Sequence, residues 1–136
     1  MTEGTTDGVV TFDVEKALGT ARETVGEETV LICVAYDESA FTTVHVDERF
    51  DALYPGAGAR REHFGEIHSY VHLDFIEREL FTELFLQPGR VKAFVTYMNA
   101  LIAIRIVTGG EGLFLGIAPG TETTELVERV ESVLRE

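Results

Sequence analysis

The sequence predicts an α/β domain of the α+β kind: one mostly antiparallel sheet of five strands, with N- and C-terminal helices and a helical segment between the strands. Three observations carry this. Thr29–Tyr36 (TVLICVAY) and Leu101–Val107 (LIAIRIV) are apolar at nearly every residue, the pattern of strands covered on both faces. Phe41–Val46 and Val91–Tyr97 alternate in character along the chain, the pattern of strands nearer an edge. Both ends of the domain, and the stretch between the two sets of strands, repeat apolar residues at helical spacing instead.

Residues 1–10 read as a flexible polar leader, and residues 11–136 as a single domain. The leader lacks the basic and apolar regions of a signal peptide. Asp13 is placed to cap a helix over Val14–Val25, with Val14, Leu18, Ala21 and Val25 on one stripe and Gly26 as its stop. After the first strand, Asp37-Glu38-Ser39 supplies a turn into Phe41–Val46. Asp47–Tyr54 fits one short helical turn ended by Pro55, and Gly56-Ala57-Gly58 a flexible loop. Arg61–Leu86 is helical, but its stripe changes sides. Phe64, Ile67, Val71 and Phe75 share one face, while Leu73, Ile76, Leu80 and Leu84 fall nearly opposite. Either the segment kinks near His72–Asp74 or one helix has two buried faces, one of them under a partner. Gln87-Pro88-Gly89 breaks it. A three-strand meander follows, with turns at Met98–Ala100 and Thr108–Gly112, and its last strand is Leu113–Ala118. Thr121 is the expected cap of a terminal helix whose inward residues are Leu126, Val127, Val130, Val133 and Leu134.

The charge is unusual. Twenty-four acidic residues oppose 11 basic ones, for a net charge of −13, and only Lys16 and Lys92 are lysines. An acidic, lysine-poor surface stays hydrated in molar salt, where screening removes most self-repulsion. This points to a cytoplasmic protein of a halophile; an acidic protein of an ordinary mesophile is the alternative. The same acidity argues against direct nucleic-acid binding. Cys33 stands alone in an apolar run, which excludes a disulfide framework and fits a buried small hydrophobe. No apolar run is long enough to span a membrane.

Candidate chemistry is sparse. His68 and His72, four apart on a helical stretch, put two imidazoles on one face, and Glu79 could join them as a metal ligand if the helix is straight. Two rim histidines flanking an apolar stripe are the alternative. Gly56, Gly58, Arg60 and Arg61 precede a helix and could cradle an anion, or form a surface loop whose arginines answer nearby carboxylates. Arg105 is the only charge in its strand, so either its face is open to water or a carboxylate meets it. No serine stands in a nucleophile elbow, and no cofactor is implied.

The order helix, two strands, helical segment, three strands, helix resembles the roadblock and profilin-like group of small modules. That resemblance implies the sheet order 2-1-5-4-3, a homodimer, and a partner such as a small nucleotide-binding protein. The stretches Tyr36-Asp37-Glu38, Val44-His45-Val46-Asp47-Glu48-Arg49 and Gly89-Arg90-Val91-Lys92 resemble small acidic haloarchaeal domain proteins. Neither brings catalytic residues. The reading is therefore a non-enzymatic regulatory or adaptor module, working by homodimerisation and protein binding. Its expected interface is Phe64, Ile67, Val71, Leu80, Phe81, Leu84, Val91, Ala93 and Val95. An anion or small-molecule sensor using the Gly56–Arg61 loop, and a metal-dependent enzyme centred on His68 and His72, remain as alternatives.

Overall fold

In the computed structural model, which describes residues 8–136, the two apolar runs form strands with neighbours on either side. They are β1 (Val30–Asp37) and β4 (Ile102–Thr108). With β2 (Phe41–Val46), β3 (Ala93–Tyr97) and β5 (Glu111–Ile117) they make one antiparallel sheet in the order β2-β1-β5-β4-β3. This is the expected order, and the alternating runs lie at its two edges, where one strand side has no neighbour among the described residues. Seven residues of the expected leader lie outside the described residues; of the rest, Val9 is buried and Val10 packs against the core.

Two helices cover one face of the sheet. α1 (Val14–Val25) starts where Asp13 accepts a hydrogen bond from the Lys16 backbone N–H at 3.0 Å, and Gly26 ends it at φ 101°. α5 (Thr124–Leu134) runs beside it. Its entry differs from expectation. Thr121 is not the cap: its hydroxyl donates to the Ala118 carbonyl at 2.7 Å, and the helix begins after Thr123. Beneath the pair lie Ile102, Ile104, Ile106, Leu113, Leu115 and Ile117, each almost wholly buried. Cys33 belongs to this core, and burial pushes its thiol up to about 12, so it is protonated and inert.

The opposite face carries α2 (Glu48–Asp51), α3 (Ala57–His68) and α4 (His72–Leu84). Two helices replace the single segment, separated at Ser69–Val71, a few residues before the expected kink. The Gly56–Gly58 loop is shorter than expected, because helical hydrogen bonding starts at Gly56, whose carbonyl accepts from the Arg60 N–H at 3.2 Å. Leu31, Ile32, Tyr36, Phe41 and Phe64 form the smaller core on this side. Gly112 has a packing reason beyond the hairpin turn. The Tyr36 ring crosses β5 at that point, and a Cβ on Gly112 would sit 2.4 Å from it.

Candidate interaction surface and the ion pair beneath it

α4 has two different sides. Its underside meets the sheet through Asp74, Phe75 and Phe81, the last 6.3 Å from the Phe94 ring of β3. Arg78 anchors it further, donating to the Gly109 carbonyl at 2.6 Å. The other side holds Leu73, Ile76, Leu80 and Leu84, all exposed, with Ile76 at 56% and Leu84 at 60%. Phe85 stacks on Phe81, and Leu86 beyond it is 99% exposed. The two stripes of the sequence are thus real and point apart. Phe64, Val71 and Phe75 of the first pack toward the chain's own sheet, though Ile67 is exposed, and the second faces outward with none of the described residues covering it. Single exposed apolar residues are ordinary; a continuous row is what makes this side a candidate interaction surface.

β3 meets the inner side of α4, where Phe94 lies against Phe81. Its side away from β4 has no strand neighbour, and Val95, Tyr97 and Met98 are exposed. Lysine on an edge strand normally discourages pairing with another chain. Here Lys92 is turned away: its ammonium meets both Glu128 carboxylate oxygens at 2.8 Å. Arg90 makes a forked pair with the buried Glu131 at 2.9 and 3.1 Å. Residues 90–92 are thereby tied to α5, and the edge that follows is uncharged.

Arg105 has its carboxylate. Its Nη1 pairs with Asp74 of α4, and the guanidinium lies 5.0 Å over the Phe94 ring. The other Asp74 oxygen accepts from the Tyr36 hydroxyl at 2.7 Å. Asp74 is 2% exposed, while the Arg105 side chain is 30% exposed, so the acid is the dry partner. The pair fastens α4 to β4, and the tyrosine adds β1. Burial, then the Asp74 charge and hydrogen bond, hold the Tyr36 hydroxyl well above the ordinary tyrosine range. The sign follows: the unfolded chain ionises Tyr36 above its ordinary value of 10.0, and the folded chain does not. Stability contributed by this group is intact below that pH and falls by about 1.4 kcal/mol per pH unit above it. Denaturant midpoints at two alkaline pH values should show the fall, reduced in Tyr36→Phe; an equal fall in both proteins would refute the linkage. Cys33 acts with the same sign from pH 9.0 and is present in both.

The other candidate residues are dispersed. His68 ends α3 and donates from Nε2 to the Asp37 carbonyl at 2.8 Å, while His72 opens α4 with Nδ1 directed at the Ser69 carbonyl. The break between the helices takes His68 and His72 off a common face, and Glu79 is exposed further along α4. Among the described residues no group of three His, Cys, Asp or Glu side chains is placed to hold a metal ion. Gly56 and Gly58 lie at the start of α3, where Arg60 pairs with Asp51 at 3.0 Å and Arg61 is exposed. Of the expected interface, Ile67, Leu80, Phe81, Leu84 and Val95 are exposed, and Val71, Val91 and Ala93 are half-buried. Phe64 turns into the smaller core, and Val91 precedes β3. Asp74 went unrecognised as the partner of Arg105. Its signal was a lone acid on the inward side of a helix, among Val71 and Phe75.

Among the described residues no helix is long and apolar enough to cross a membrane. No family model and no curated protein matches the chain. Among solved structures it is similar to the crystal structure of a Roadblock/LC7 domain from Streptomyces avermitilis, at 10% identity and a TM-score of 0.58. The likeness covers 90% of this chain and 92% of that one. With the same order of strands expected from the sequence and found in the structure, the chain has a roadblock-like fold.

Proposed function

We propose that this chain is a non-enzymatic regulatory or adaptor module that acts as a homodimer and binds another protein in the cytoplasm of a halophilic archaeon. The observation that carries the reading is the outward row Leu73, Ile76, Leu80 and Leu84 on α4 together with the open, uncharged edge of β3. A second copy related by a two-fold axis near Pro88–Gly89 covers both at once, helix on helix and strand beside strand. The roadblock-like fold supports the same reading, and the resemblance in element order read from the sequence implies a small nucleotide-binding protein as partner.

The structure chooses the variant that tests this. Phe81 also packs on Phe94, so replacing it damages the chain's own fold, whereas Leu80 is 47% exposed. Leu80→Glu should therefore give a folded monomer with a melting temperature close to that of a dilute wild-type sample. Sedimentation velocity in molar salt reads the outcome, and a variant that stays dimeric would exclude this surface.

The halophilic part rests on the net charge of −13. Removing salt restores carboxylate repulsion, which favours the expanded chain. The melting temperature should drop by roughly ten degrees or more between molar salt and low-salt buffer, about 2 kcal/mol for a domain of this size. An unchanged melting temperature would remove that part of the reading and leave the dimer untouched.

A further inference from the structure

The face of the sheet under α3 and α4 is packed differently from the face under α1 and α5. Between β1, β4, β5 and the helices lies a pocket of 430 Å³ that opens to solvent past Ile67, Tyr70 and Met98. The other face of the same sheet is closed, with Ile104, Ile106 and Leu115 fully enclosed, so the pocket is a local feature. Its volume lies within the range of small-molecule sites.

Its wall is mostly apolar, and of the polar side chains on it Tyr36, Tyr54, His63 and His68 are already hydrogen-bonded within the protein. Phe41, Phe50, Phe64 and Phe114 supply aromatic wall, and Val34 and Ala103 line it from β1 and β4. Arg105 and Asp74 also line it, already joined as an ion pair, so their charges cancel. A guanidinium has five N–H donors, and Asp74 engages Nη1 alone. The wall thus offers hydrogen-bond donors without net charge. A cation would face Arg105, and an anion would face Asp74 within a chain of charge −13. An uncharged acceptor meets neither cost.

We propose that this cavity binds an uncharged, flat apolar molecule carrying one carbonyl-type acceptor directed at Arg105. The site adjoins the proposed homodimer surface through Ile67 and Met98, but none of Leu73, Ile76, Leu80 and Leu84 lines it.

Nile red, a neutral planar dye with one carbonyl, is the probe. Titrated with the full chain in molar salt, it should bind saturably at one per chain. Ala103→Leu and Val34→Phe fill the cavity without touching the ion pair. Each should weaken binding about tenfold or more while the circular dichroism spectrum is kept, and at least one of the two is expected to fold normally. Leu80→Glu should leave the affinity within about twofold, whether or not it alters oligomeric state. As competitors, 9-fluorenone should displace the dye and fluorene, the same rings without the carbonyl, should do so several-fold less well. Binding that never saturates, or that is lost in Leu80→Glu and kept in both cavity variants, would overturn the proposal. Equal competition by fluorene and 9-fluorenone would overturn the role given to Arg105.

Discussion

Replacing Arg105 with methionine is expected to cost about 3–5 kcal/mol, the range for stripping one partner from a buried ion pair. The reason lies in Asp74, not in the arginine. Arg105 keeps 30% of its side chain in solvent, but Asp74 is 2% exposed and would be left as a dry carboxylate with only the Tyr36 hydroxyl for company. A second substitution checks the cause. Asp74→Asn removes the stranded charge and still accepts from Tyr36, so in the Arg105→Met background it should restore at least half of the loss. A loss below about 1 kcal/mol for Arg105→Met would mean that the pair is solvated and does not fasten α4 to β4.

On the other face of the same strand, Ile104→Ala should cost about 2–5 kcal/mol, the range for truncating a large buried aliphatic side chain. Ile104 is fully buried beneath α1 and α5, in register with Leu115 on one side and Val95 on the other. Denaturant unfolding measures the loss, and less than about 1 kcal/mol would place that face in solvent. The adjacent substitutions probe opposite faces and different physics. Ile104 reports on packing, whereas Arg105 reports on a charge that must not be left alone.

Those two residues also show why some of this structure is legible in a sequence and some is not. Ile104 sits in a short, β-branched apolar run bounded by turn residues, the pattern of a strand covered on both faces. The central strands and both edges follow from patterns of that kind. The two stripes of α4 were equally readable, since helical spacing separates Leu73, Ile76, Leu80 and Leu84 from Phe75 without knowledge of the fold. Helix ends were harder. Gly58 reads as loop from its propensity, yet it lies inside α3; Thr121 reads as a cap, yet its hydroxyl turns back to Ala118. Both are local preferences overridden by where the chain has to go. The partner of Arg105 lies 31 residues away in sequence. Periodicity marks Asp74 as inward-facing, but only the packing of α4 across β4 brings the two together. The cavity left no sequence signal, because it is a property of how far two helices stand off a sheet.

The measurement that bears most directly on the central claim is the mass of the unmodified chain by light scattering in molar salt, from micromolar to near-millimolar concentration. A homodimer through α4 and β3 predicts a species of twice 15.1 kDa, dissociating only toward the dilute end. A single species of 15.1 kDa across the whole range would contradict it, and would leave the apolar row of α4 to some other occupant.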